Sequence, residues 1–191
     1  MSLVTSRGLP DKDIGSTIRN VSRSKCFAAV ARRDARVLIL GSLPGCVSLE
    51  RGEYYAHPRN AFWDIMGNLF GASRDLPYAL RLHRLKERGI ALWDVCASGR
   101  RAGSLDGAIA DEVTHDLDPF LKRHTCIKLI CFNGSMAGRI FERRVLARAG
   151  ARMDGIRREV LASTSPAHAA MTFEQKLKRW REVLESVVET R

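Results

Sequence analysis

Arg36-Val-Leu-Ile-Leu-Gly-Ser-Leu-Pro-Gly45 is the stretch on which the fold turns. Val37 to Leu40 are all apolar and leave no polar face, so a strand here must be buried on both sides. A central strand of a parallel sheet, covered by helices, reads this way. The run then stops at a turn framed by two glycines, where backbone can approach a ligand closely. Similar runs recur downstream. Ile90-Ala-Leu-Trp-Asp-Val95 and Ile127-Lys-Leu-Ile-Cys-Phe132 read as strands, and a fourth falls near Arg158 to Leu161. Helical patterns lie between them. Phe62, Ile65, Met66, Leu69 and Phe70 share one face, with Gly71 ending the helix. A second helix runs from near Pro77 to Arg88. Asp118-Pro119 reads as the N-cap and first position of a short helix, and another follows Asn133-Gly134. Phe173, Leu177, Trp180, Leu184 and Val187 form the apolar stripe of a last helix, opened by a Thr172/Gln175 capping box. This alternation predicts an α/β fold with a mostly parallel sheet.

The rest of the composition narrows the partner. A chain of 191 residues that is 45% hydrophobic can bury one substantial core. Its net charge of +11 favours a polyanionic partner, most often nucleic acid. No apolar run approaches the ~20 residues of a membrane span, and the first residues lack the apolar core of a secretion signal. A cytoplasmic, monomeric protein with no membrane partner is expected. The five cysteines (Cys26, Cys46, Cys96, Cys126 and Cys131) are odd in number and form no C-x-x-C pair. They read as reduced thiols rather than metal ligands, so no metal is expected. Residues 1–35 carry Arg7, Lys12, Arg19, Arg23, Lys25, Arg32 and Arg33 with little periodicity. They read as a basic, flexible N-terminal arm ahead of a domain spanning 36–191.

In open α/β sheets ligands bind beyond the carboxyl ends of the strands. That rule singles out the loops after Leu40, Val95, Phe132 and Leu161. Gly41-Ser-Leu-Pro-Gly45 suits a backbone cradle, but it is neither a dinucleotide fingerprint, nor a P-loop, nor a hydrolase nucleophile elbow. Tyr54-Tyr-Ala-His-Pro-Arg-Asn-Ala-Phe-Trp63 is dense in groups that stack on a flat ligand and hydrogen-bond its edge. Tyr55 and Phe62 also suit core packing, and Asn60 also suits a helix N-cap. Ser98-Gly-Arg-Arg-Ala-Gly-Ser104 is a basic, glycine-rich loop that places Arg100 and Arg101 at a strand end. The seven arginines from Arg139 to Arg158 suit phosphate contacts or a solvated helix face.

Taken together, Leu38 to Gly45, Tyr54 to Trp63, Gly89 to Val95, Gly103-Ser-Leu-Asp106 and Ser163-Thr-Ser-Pro166 resemble the motifs of the uracil-DNA glycosylase superfamily. Its hypoxanthine-DNA (deoxyinosine) glycosylase branch matches best. The mismatch-specific uracil glycosylases share a similar H-P-x-N-x-F-W string. The resemblance implies a three-layer α/β/α sandwich around a four-stranded parallel sheet. It also implies hydrolysis of the N-glycosidic bond of a deaminated base flipped out of double-stranded DNA, here hypoxanthine, by a monofunctional enzyme without cofactor or metal. By the same resemblance, Gly41, Ser42, Leu43 and Pro44 line the pocket beside the sugar, with Tyr55 near the base. Ser42 and Leu43 stand where related branches carry the Asp or Asn that orients water, and Asn60 takes over that catalytic role. Phe62 stacks on the base, and Asp94 reads its edge. Ser163, Thr164, Ser165 and His168 press on the DNA backbone, with Arg59, Arg100 and Arg101 as further DNA contacts. The alternatives are a uracil or mismatch glycosylase and a non-catalytic nucleic-acid-binding module on the same fold. A Ser42 hydrolase ranks last, because no His and acid partners stand at a recognised spacing.

Overall fold

The computed structural model describes residues 23–101, 109–146, 148 and 153–188. Its centre is β2 (Val37–Gly41), paired in parallel with β3 (Ile90–Asp94) on one side and β6 (Leu129–Asn133) on the other. β7 (Arg157–Leu161) joins β6 in parallel, giving the order β3-β2-β6-β7. All four expected strands form, and all run the same way.

Two-sided burial follows from strand alternation. Val37 and Ile39 face one apolar cluster, while Leu38 and Leu40 face the other. Leu129 and Cys131 join the first cluster, and Ile130 and Phe132 the second. The first layer of helices comprises α2 (Phe62–Phe70), α3 (Tyr78–Glu87) and α6 (Phe173–Val188), which bring Phe62, Ile65, Met66, Leu85, Trp180 and Leu184 onto the sheet. The opposite layer holds α4 (Asp118–Arg123) and α5 (Ser135–Phe141), which supply Phe120, Leu121, Ile140 and Phe141. This is the expected three-layer sandwich. A short α1 (Cys46–Arg51) follows the first glycine turn.

Two capping expectations resolve differently. Thr172 and Gln175 form the reciprocal box, with Gln175 N–H donating to Thr172 Oγ1 at 3.3 Å and Thr172 N–H donating to Gln175 Oε1 at 2.9 Å. Asp118, by contrast, already lies inside α4, and its N–H donates to Asp116 Oδ1 at 3.1 Å. The earlier acid takes the first-turn N–H, so the cap sits upstream of the residue that the Asp-Pro pair suggests.

The region before β2 and the segment after β3 also depart from expectation. β1 (Arg23–Lys25) pairs antiparallel with β4 (Cys96–Arg101), which pairs with β5 (Ile109–Thr114). Residues 23–35 are therefore tied to the domain rather than part of a free arm. Val30 N–H donates to Leu92 O at 2.9 Å, and Leu92 N–H donates to Val30 O at 2.8 Å. Most of the expected glycine-rich basic loop is strand β4, because β1 and β5 supply backbone partners that local composition does not reveal. Gly103 to Asp106 and residues 1–22 lie outside the described residues.

Trp180 ties the last helix to the sheet. It is fully buried, stands edge-on to Phe62 at 6.0 Å, and donates its indole N–H to Ala162 O at 2.9 Å. We expect Trp180→Ala to cost about 3–5 kcal/mol, lowering the melting temperature by roughly 10 °C at ~2–4 °C per kcal/mol for a chain of this size. A thermal melt within a degree or two of wild type would show that α6 is not held this way.

Candidate active site

Parallel strands all end on the same edge of the sheet, so the loops after them must converge. Here they enclose a cavity of about 370 Å³, in the size range of small-ligand sites. Its wall comes from Gly41 to Gly45 at the end of β2, Val47 and Ser48 in α1, Tyr54 to Asn60 before α2, Asp94 at the end of β3, Asn133 at the end of β6, and Ser163 to Ala167 after β7.

Gly41 is where three of these segments meet. A Cβ at this position would overlap Asp94 Oδ1 and come within 3.3 Å of the Tyr55 hydroxyl. Only a glycine lets the carboxylate and the phenol close over the strand end. Asp94 is almost fully buried and faces the cavity, while Val95 N–H donates to Gly41 O at 2.8 Å and so locks the two strand ends in register. Ser42, Leu43 and Pro44 continue the lining, all buried.

The Tyr54 to Asn60 loop is anchored by aromatic hydroxyl and indole bonds. Tyr54 N–H donates to the Tyr78 hydroxyl at 2.9 Å, and Trp63 Nε1 donates to Tyr54 O at 2.9 Å. Arg81 sits over the Trp63 ring at 4.8 Å and pairs with Glu53 at 3.3 Å. Burial pushes the Tyr54 phenol well above its ordinary pKa, with Asp94 adding to the shift, so it stays protonated. The next residue, Tyr55, has a left-handed φ of 55°, a conformation that costs a non-glycine residue energy and here turns its ring into the site.

Tyr55 lies between Phe62 and the cavity. Phe62 is fully buried and lies outside the cavity lining. Tyr55 stacks on it at 3.9 Å with an interplanar angle of 22°, and Tyr55 itself lines the cavity. The expectation that Phe62 stacks on a base is thus corrected: its ring is covered by Tyr55, which presents the aromatic surface. Phe62 lies on the inward stripe of α2, and the apolar core outcompetes the pocket for it.

Asn60 lines the cavity and is closely held. Its Oδ1 accepts from Phe62 N–H at 3.0 Å, its N–H donates to His57 O at 2.9 Å, and Arg74 donates to its carbonyl at 2.5 Å. The bland N-cap-like role and a place in the site are therefore compatible in one side chain. Arg59, exposed, also lines the cavity, with its N–H donating to His57 Nδ1 at 3.1 Å.

Ser163, Thr164 and Ser165 line the cavity, but Thr164 is almost fully buried and its side chain turns inward. Asn133 Nδ2 donates to Thr164 Oγ1 at 2.8 Å, and Thr164 N–H donates to Asn133 Oδ1 at 2.9 Å. The expected contact of the Thr164 side chain with DNA is corrected accordingly, since its hydroxyl is occupied inside the protein. Gly134 allows this junction, because a Cβ there would lie 2.9 Å from the Ser163 Cβ. His168 lies outside the lining; its carbonyl accepts from Lys176 Nζ at 2.8 Å. Desolvation under this loop lowers the Lys176 pKa.

Arg100 lies outside the cavity lining. Arg100 pairs with Asp111 at 3.6 Å, and Arg101 ends β4. Of the second arginine group, Arg143 and Arg144 both reach Glu112, at 2.6 and 3.6 Å, and Arg158 reaches Glu142 at 3.8 Å. These charges are partly balanced on the protein itself. Among the described residues, no cluster of three or more histidines, cysteines or acids is placed to hold a metal ion, and no helix is long and apolar enough to cross a membrane. Motif reading passed over several lining residues, among them Ser48, Tyr54, His57 and Asn133; of these, Asn133 is bonded to the wall segment after β7 by its side chain. Its signal was available in its position after the third strand, which runs to Asn133 rather than ending at Phe132.

Comparison with known proteins agrees with this geometry. A curated hypoxanthine DNA glycosylase from Methanosarcina acetivorans is 41% identical over 113 residues, covering 59% of this chain and 72% of that protein. Its counterpart from Methanosarcina barkeri is 39% identical over the same length and coverage. A solution NMR structure of a candidate uracil DNA glycosylase from Methanosarcina acetivorans superposes with a TM-score of 0.73 at 33% identity, covering 87% of this chain and 99% of that one. The family model of the uracil DNA glycosylase superfamily matches residues 27–187, and the chain belongs to that superfamily.

Proposed function

We propose that the chain is a monofunctional DNA glycosylase that hydrolyses the N-glycosidic bond of hypoxanthine flipped from duplex DNA. The observation that carries this reading is the convergence of Asn60, Asp94 and the Tyr55 ring on one cavity at the carboxyl edge of the sheet. The relatives named for hypoxanthine excision support the choice of base.

A base inside a duplex is unreachable, so it must be extruded at a cost of roughly a few kcal/mol, less for a weak pair. Stacking on Tyr55 and phosphate contacts from cationic residues such as Arg59 offset that cost. Ser163 and Ser165, which line the cavity, contact the DNA backbone beside it, and Arg100, Arg101 and His168 are proposed as additional backbone contacts.

Bond cleavage makes the sugar oxocarbenium-like and sends the electron pair of the glycosidic bond to the purine. Asn60 is not a base strong enough to deprotonate water. Its Oδ1, already oriented by the Phe62 N–H, has a second lone pair that can hold a water molecule against the cation. Once that water adds to the sugar, its surplus proton passes to solvent or to the departing base. No lysine stands among the described residues that line the cavity, which supports a single hydrolytic step over lyase chemistry.

Edge recognition falls to Asp94. Hypoxanthine offers an N1–H donor, where adenine offers a lone pair. A buried carboxylate accepts from the first and repels the second. Gly41 fixes where that carboxylate stands.

Three measurements test these assignments. Duplexes carrying one hypoxanthine or one uracil are incubated with protein, treated with alkali and resolved on a gel. Asn60→Ala should slow hypoxanthine release about 10²–10⁴-fold while duplex binding persists. Uracil release alone would overturn the substrate, and no release from any duplex would overturn the enzymatic reading. Asp94→Ala should lose most hypoxanthine release, and cleavage at the wild-type rate would remove its recognition role. Gly41→Ala should displace Asp94 and Tyr55, cutting activity far more than the ~1–3 kcal/mol of stability that overpacking costs; parallel melts and rate assays separate the two effects.

A further inference from the structure

We infer that Asn133 and Thr164 are positioning residues that hold Asn60 in its working place. The inference rests on the reading of Asn60 as the residue that orients water. Three hydrogen bonds make the connection. Asn133 and Thr164 bond each other twice, side chain to side chain at 2.8 Å and backbone N–H to amide oxygen at 2.9 Å. Thr164 O then accepts from Ala61 N–H at 3.0 Å, one residue beyond Asn60. Asn133 is the last residue of β6, so the series runs from the rigid sheet through the loop after β7 to the segment bearing Asn60.

Burial makes this clamp stiff. Thr164 is 1% exposed and Asn133 7% exposed, so water does not compete effectively for their polar groups. Both nitrogen and oxygen of the Asn133 amide are engaged, which fixes its orientation. The only other side-chain amide is that of Gln, which is one methylene longer. The far side of Asn60 is held separately, by Arg74 on its carbonyl and by the Arg74 to Asp64 ion pair at 3.3 Å. Asn60 thus sits between a half-buried tether and a buried one. The buried tether sets its distance from the sheet end where Asp94 stands.

Catalysis by orientation is sensitive to such distances, since a displacement of about 1 Å can cost on the order of 10²-fold in rate. Thr164→Val keeps the shape and removes the hydroxyl acceptor, whereas Thr164→Ser keeps it. Single-turnover release of hypoxanthine, duplex affinity and melting temperature are measured for each. We expect Thr164→Val to slow release about 10- to 100-fold with affinity unchanged, and Thr164→Ser to restore the rate. In an Asn60→Ala background, Thr164→Val should cause no further slowing, because the group it positions is gone. Equal slowing in both backgrounds would overturn the inference, as would weakened binding with an unchanged rate. Asn60→Ala acting at full speed would overturn the catalytic reading itself, and this inference with it. If Thr164→Val does not fold, Asn133→Ser breaks the pair from the other side and is read by the same three measurements.

Discussion

Burying a parallel sheet on both faces leaves its polar chemistry only one place to stand. Within β2, β3 and β6 nearly every side chain is packed against helices, and the backbone groups are consumed by the ladder. A charged or amide side chain inside such a strand would lose its hydration without a partner. Asp94 and Asn133 accordingly occupy the last positions of their strands, where the ladder ends and a cavity begins. The site follows from the sheet's burial: the constraint that builds the core also gathers the polar groups at one edge.

Convergence alone does not make a precise site, because loops are the softest parts of a fold. Here each loop is bonded to something stiffer. Gly41 is locked to the end of β3, the Tyr54 loop to α2 and α3 through Trp63 and Tyr78, and the Thr164 loop to Asn133 on β6. These bonds join segments more than twenty residues apart, except the link between Tyr54 and Trp63 within one loop-helix unit. At Tyr55 the molecule accepts a strained, left-handed backbone, which turns a ring toward the cavity.

Tyr55 and Phe62 show where motif reading reaches its limit. Both belong to a recognisable string, and both are flat. Helical periodicity already placed Phe62 on an inward stripe, and that stripe is what the structure honours. Tyr55 precedes the helix, so no periodicity constrains it, and its orientation depends on Phe62 behind it and Gly41 beside it. Likewise β4 reads as a loop in isolation because its partners are β1, more than 70 residues upstream, and β5, which the local composition of β4 does not reveal.

The sequence by itself determined the four parallel strands, the helices between them, the superfamily motifs and the set of loops that form the site. These are local patterns of hydrophobicity and turn chemistry, carried by neighbouring residues. Only the tertiary structure decided that Tyr55 rather than Phe62 faces the cavity, that Thr164 turns inward to Asn133, and that Arg23–Lys25 join a second sheet. Each of those outcomes is a competition between distant groups for the same partner or the same space. A linear string records the competitors, and their packing in three dimensions settles which one wins.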